Sequence, residues 1–218
     1  MKTNLSKQRG FTLAEMAIVV VLGGILLAAG LMAGRGQISR AQTQDVLQIA
    51  ADLQTASAAF KQRYGYLPGD LVSATTLLPT PGNADGTGGT LGNGLIDGAI
   101  GAAAADNGLA TAANEVGVAP AQLYAAGLIG KLGTNTQKRL QSQFGAVHMA
   151  VADAANTSAA YVLANPAVKN VIIFFDLPCE VVGEVDRALD DGVDTTGRSM
   201  GVAACAAGGS LARYFVPL

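Results

Sequence analysis

Charge is scarce in this chain: Asp, Glu, Lys and Arg together make 14% of its 218 residues, and the formal net charge is -2. A nucleic-acid surface needs basic side chains in excess with aromatics among them, so no nucleic-acid partner is expected. Histidine occurs once, as His148 on a strand-like run, and no Ser or Cys has a legible base beside it. Nucleophilic catalysis therefore has little to work with, and no enzymatic activity is expected. The glycine-rich stretch contains no Gly-Lys-Ser/Thr, which excludes a phosphate loop of that type, and no Cys/His cluster has metal-ligand spacing. Cysteine appears only as Cys179 and Cys205.

What the chain has in quantity is apolar surface, 50% hydrophobic residues, together with 28 Gly. That balance is too apolar for disorder, and the length fits one globular domain with an appendage. Much of the surplus lies in residues 11–34, where Glu15 is the only ionisable side chain and Arg9 and Arg35 stand at the flanks. At about 1.5 Å per residue this run crosses a hydrocarbon core of roughly 30 Å. Residues 1–10 carry Lys2, Lys7 and Arg9 and no acid, which keeps them cytoplasmic and places the rest outside. A secretory signal peptide also starts basic, but it has a shorter apolar core and a small-residue cleavage site, and neither is clear here. Two cysteines beyond a membrane segment suggest a disulfide in an oxidising compartment, worth about 3.5 kcal/mol in the chain-entropy model. Two buried thiols are the alternative.

From residue 38 to 64 the pattern becomes amphipathic, with Ile38, Ala41, Val46, Ile49, Leu53, Ala56 and Phe60 at helical steps. Gly65 and Pro68 then stop the helix, which predicts one long helix over 11–64. Residues 79–108, rich in Gly, Asn, Asp and Ala, read as a long surface excursion. A short helix is expected over 120–129, opened by Pro120 and with Leu123, Tyr124 and Leu128 on one face. Strands are expected at 147–151, 161–163, 171–177 and 212–216. Short strands between turns favour an antiparallel sheet against the helix's apolar stripe, an α+β fold.

Arg9-Gly10-Phe11-Thr12-Leu13-Ala14-Glu15 closely resembles the processing site of type IV prepilins and type II secretion pseudopilins: basic leader, Gly, Phe, Thr, Leu, then Glu one turn on. Ala14 stands where that family usually has Ile or Val. The resemblance implies a dedicated prepilin peptidase that cuts after Gly10 and methylates the new terminus at Phe11. It implies the pilin fold, with residues 1–10 a leader, 11–34 a transmembrane and filament-core helix, 35–64 its amphipathic half and 65–218 a globular head closed by a C-terminal disulfide loop. Looser likenesses to a widespread pilin-like group run through Tyr64-Gly65-Tyr66-Leu67-Pro68-Gly69-Asp70, Asn93-Gly94-Leu95-Ile96-Asp97-Gly98, Ala126-Gly127-Leu128-Ile129 and the stretch from Asp186 to Gly192.

An acid inside a spanning segment is costly and normally has a partner. The resemblance implies that Glu15 attracts the amine of Phe11 on a neighbouring subunit and sets axial register; the alternative is an acid near the membrane interface. Gly23, Gly24, Gly30 and Gly34 permit close approach of neighbours, with ordinary tolerance of glycine in membrane helices as the alternative. Asp190, Asp191 and Asp194, inside the expected disulfide loop with Asp186, offer hard oxygens to Ca²⁺, and Asn83, Asp85 and Asp97 do so less strongly, although the spacing is not that of an EF-hand and turn chemistry explains them too. Otherwise no cofactor is expected. The resulting expectation is a self-assembling filament subunit, inserted singly in the inner membrane and then displayed at the cell surface by assembly machinery. A pseudopilin of a type II secretion machine and a membrane-anchored binding protein that never polymerises are the alternatives.

Overall fold

The computed structural model describes residues 12–100, 114–130 and 140–218, apart from the side chains of residues 31–36. The chain divides into two units, Met1–Ser39 and Arg40–Leu218. Helix α1 (Leu13–Tyr64) supplies residues to both.

In the first unit, the helical residues Ile18, Val19, Val20, Val21 and Leu22 are consecutive and all exposed. Five successive helical positions advance through more than a full turn, so no face of this stretch is polar. Among the described residues, a Cβ added at Gly23, Gly24 or Gly30 would meet no atom within 4 Å, so none of them requires glycine there.

In the second unit, α1 buries Val46, Ala50, Leu53, Ala56 and Phe60, spaced so that they form one stripe. The expected stripe is corrected at its start: Ile38 and Ala41 are exposed, and the buried face begins at Thr43, whose hydroxyl donates to Glu184 at 3.0 Å. The helix ends as expected. Gly65 adopts φ 82°, a left-handed conformation that costs glycine nothing, and its N–H returns to the Lys61 carbonyl at 2.8 Å.

The stripe packs on a five-stranded antiparallel sheet of order β1-β2-β3-β5-β4. Its strands are β1 (Leu140–Gln141), β2 (Ala146–Val151), β3 (Asn170–Pro178), β4 (Met200–Gly201) and β5 (Ser210–Pro217). Register is set by pairs such as His148 with Ile173 and Ile173 with Phe215. Three expected strands are thus present in β2, β3 and β5. The fourth, 161–163, is helical: α4 (Ala159–Ala164) is started by Ser158, whose hydroxyl accepts from Tyr161 N at 3.1 Å. The run Tyr161-Val162-Leu163 looks strand-like by composition, but its flanks Ala159, Ala160 and Ala164 favour helix, and one turn buries Tyr161 while leaving Leu163 outside.

Helix α3 (Glu115–Ala125) begins before Pro120, which lies inside it, because Asn114 caps the end by accepting from Gly117 N at 2.8 Å. Its buried face is Val116, Ala119 and Leu123, whereas Tyr124 is exposed. Two further helices among the described residues are α2 (Ala74–Leu77) and α5 (Cys179–Leu189). In its described part, up to residue 100, the glycine-rich stretch forms no helix or named strand and runs mostly over the surface as expected, but it buries Ile96 and Ile100. Side-chain amides supply the partners its backbone lacks. Asn170 accepts from Ile96 N and donates to Gly94 O, Asn156 accepts from Ile100 N and donates to Gly98 O, and Gln122 accepts from Gly69 N and donates to Ala84 O. Buried Asp70 takes three backbone donors, Gly92 N at 2.5 Å, Asn93 N at 3.1 Å and Gly94 N at 2.8 Å.

Candidate assembly site

Leu13–Gly30 is long and apolar enough to cross a membrane, and none of it is buried among the described residues. Gly10 and Phe11, the expected processing and assembly residues, lie outside the described residues, as does the rest of the leader. The site therefore starts at Thr12. Its carbonyl accepts from Met16 N at 3.2 Å, and its hydroxyl accepts from Glu15 N at 3.2 Å. In return Glu15 Oε2 accepts from Thr12 N and from the Thr12 hydroxyl, both at 2.9 Å. This is a reciprocal capping box: each residue satisfies a backbone N–H that the first turn of a helix leaves without an intrahelical acceptor. The acid also sits at the positive end of the helix dipole.

The Thr-x-x-Glu spacing followed by an apolar run is the sequence signature of that box, and it is legible in Thr12-Leu13-Ala14-Glu15. Reading Glu15 only as an intermolecular charge misses it. The peptide nitrogen of Thr12 belongs to the Phe11–Thr12 bond, so a cut between Gly10 and Phe11 leaves every bond of the box in place.

Cys179 and Cys205 are joined, with S–S 2.04 Å and Cα atoms 5.5 Å apart. The enclosed segment is not simply a loop. Its first part is α5, whose buried Val181, Val182 and Val185 lie against the sheet. Asp186, also on α5, is buried, and its Oδ1 accepts from the Tyr214 hydroxyl at 2.6 Å. Burial pushes the Asp186 carboxyl above its ordinary range; the Tyr214 bond opposes the shift, and the nearby Asp191 and Asp190 reinforce it.

The three aspartates weighed as calcium ligands accept hydrogen bonds within the disulfide-bounded segment. Asp190 accepts from Arg198 N and Ser199 N, Asp191 from Val193 N and the Thr196 hydroxyl, and Asp194 from Cys205 N. Among the described residues, no group of three or more His, Cys, Asp or Glu is arranged to hold a metal ion. These carboxylates shape the turns between α5 and β5.

Residues 5–31 match the family described as the prokaryotic N-terminal methylation motif, so the chain carries a prepilin-type N-terminus. Curated proteins similar to part of this chain are named as fimbrial or pilin proteins. The chain is 36% identical over 67 residues to a fimbrial protein of Neisseria meningitidis serogroup B, covering 31% of this chain and 39% of that one. It is 31% identical over 96 residues to a fimbrial protein of Moraxella nonliquefaciens, covering 38% and 62%. The type IV major pilin protein PilE of Neisseria gonorrhoeae is 36% identical over 67 residues, covering 31% and 40%. The chain thus spans between about two fifths and three fifths of the length of these curated relatives. No solved structure matches.

Proposed function

We propose that this chain is a structural subunit of a type IV pilus-like extracellular filament, assembled through its N-terminal helix. One observation carries the reading: a methylation-motif N-terminus opens a helix whose apolar residues are exposed on every face. Such a surface is stable only in lipid or among other apolar helices. Both environments are needed in succession by a subunit held in the inner membrane while its leader stays on the cytoplasmic side, and later packed into a filament core.

Prepilin peptidase cuts after Gly10 and methylates Phe11, and inner-membrane machinery draws the helix into the polymer. Glu15 then pairs with the Phe11 amine of a neighbouring copy. A carboxylate and an ammonium are each costly in an apolar layer, and pairing offsets part of that cost only at one axial register. The surrounding Leu, Ile and Val contacts are non-directional, so register depends on the charged pair. The globular unit faces solvent and defines what the filament meets, in adhesion, motility or DNA uptake.

The experiment has two arms. Mass spectrometry of assembled protein finds N-methylated Phe11 at the terminus; an intact Met1 terminus refutes processing. In a strain without wild-type subunit, Glu15→Ala keeps its membrane-fraction level and loses most sheared filament. Normal filament yield defeats the register role, and equal loss from both fractions identifies instability. Abundance of the chain in purified surface filaments separates this reading from a type II secretion pseudopilin and from an anchor that never polymerises.

A further inference from the structure

Glu115, the first residue of α3, is fully buried, and its Oε2 accepts from Asp97 N at 2.7 Å. Its other oxygen, Oε1, has no hydrogen-bond partner among the described residues. An unpaired buried polar atom is uncommon in a native fold, and an ionised one is costlier still. The surroundings add to the cost. Glu115 Oε1 lies 2.6 Å, and Asp97 Oδ2 2.8 Å, from the point where a Cβ on Gly89 would sit. Two carboxylate oxygens from different segments therefore close on one bare backbone position, which is exposed to solvent while Glu115 is not. Gly86 and Gly98 crowd the same place: a Cβ on Gly86 would stand 2.4 Å from Glu115 Cγ, and one on Gly98 2.6 Å from Asn114 Nδ2. Gly86 and Gly89 thus let the backbone close tightly on the two acids, and Gly98 does the same for the neighbouring Asn114.

Asp70 is a third nearby carboxylate, but its oxygens are spent on Gly92, Asn93 and Gly94. Burial pushes Glu115 up to about 7; the bond from Asp97 N opposes this, and the Asp97 and Asp70 charges add to it. The arrangement holds negative charge together at a site with a solvent entrance and one buried oxygen unused.

We infer that Glu115 Oε1 and Asp97 Oδ2 form a binding site for one hard divalent cation of the calcium class, entered beside Gly89. Carboxylate oxygens without nitrogen or sulfur select a hard ion, and a cation there removes both the orphaned oxygen and the repulsion between the acids. Asp97 Oδ2 already accepts from Asn93 Nδ2 at 2.8 Å, so the ion also fastens the Gly92-Asn93-Gly94 turn to α3. Two carboxylates, with water completing the shell, make a weak site. Its affinity belongs to the range of extracellular calcium modules, about 10⁻⁴–10⁻³ M. The inference does not depend on the filament reading, because it rests on the second unit alone.

The test uses the detergent-solubilised full chain at mildly alkaline pH, where the proton competes least. Equilibrium dialysis with radioactive calcium is expected to find a single ion per chain, and millimolar calcium to raise the melting temperature by a few degrees over chelator. Glu115→Gln and Asp97→Asn are both expected to lose the bound ion and the shift. Should Glu115→Gln fail to fold, the half-buried Asp97→Asn together with wild type still decides the matter. Absence of binding in wild type, or an undiminished shift in Asp97→Asn, overturns the site. Loss of binding in Asp191→Asn instead would move the ion to the disulfide segment and also overturn it. A wild type whose stability falls through neutral pH without responding to calcium identifies a protonated Glu115 and no cation.

Discussion

Two stretches of α1 put similar side chains to opposite uses. From Ile18 to Leu22 every residue is apolar and exposed, whereas further on Val46, Ala50, Leu53, Ala56 and Phe60 recur at three- and four-residue steps and are buried against the chain's own sheet. The second stretch is satisfied within one molecule. The first leaves apolar surface that is not buried among the described residues, and such surface is favourable in an apolar medium rather than in water. Propensity does not separate the two, since both form helix. The polar residues between the apolar ones do.

The contrast breaks most visibly at Phe60, which is fully buried. Phe60→Ala is expected to cost the second unit about 3–5 kcal/mol in denaturant unfolding followed by circular dichroism in detergent. Leu22→Ala should leave that transition within about 0.5 kcal/mol of wild type. Comparable losses from both variants would show that the first stretch also contributes to folding within the chain.

A smaller effect sharpens what burial means on the satisfied side. Asp186 is held above its unfolded range mainly by burial, so its contribution is fully present below the ordinary carboxylate value, about 3.9, and is lost as pH rises through the folded value. Asp186→Asn does not ionise and keeps an oxygen to accept from Tyr214. Its stability relative to wild type should therefore climb as pH is raised from about 4 towards neutrality. Thermal melts across that window check the slope, and a difference independent of pH would place the ionised Asp186 in a better-solvated environment than the structure gives it.

The smallest effect is expected at the exposed end. Thr12→Ala removes half of the capping box and should loosen the first helical turn by about 1 kcal/mol, leaving the second unit untouched. Amide hydrogen exchange in micelles reads this directly, as faster exchange confined to the first turn. Protection equal to wild type at Glu15 N would mean that the box contributes nothing once the helix end is in a membrane-like medium.

The sequence by itself determined the features that depend on near neighbours. The apolar run and its basic leader, the helix stop at Gly65, the Thr12–Glu15 spacing and the strands β2, β3 and β5 can each be read within a short window. That is so because helix periods, caps and strand alternation are local physics. The alternating cues failed where a window was too short to hold the deciding partner. Tyr161 is in a helix that places its hydroxyl on the Arg198 carbonyl at 3.0 Å, 37 residues away. Helix α5 went unread because turn-forming Asp and Gly residues crowd the end of its segment, while its three buried valines acquire meaning only against the sheet.

Tertiary structure alone decided the fate of the polar residues. Asp70 reaches Gly92, Asn93 and Gly94, Asn170 reaches back to Gly94 and Ile96, and Glu115 meets Asp97. A carboxylate's sequence neighbours do not reveal whether it will end in water, against a backbone N–H or with one oxygen unpaired. Distant segments fix its burial and its partners, and those two quantities set whether its charge costs or contributes stability.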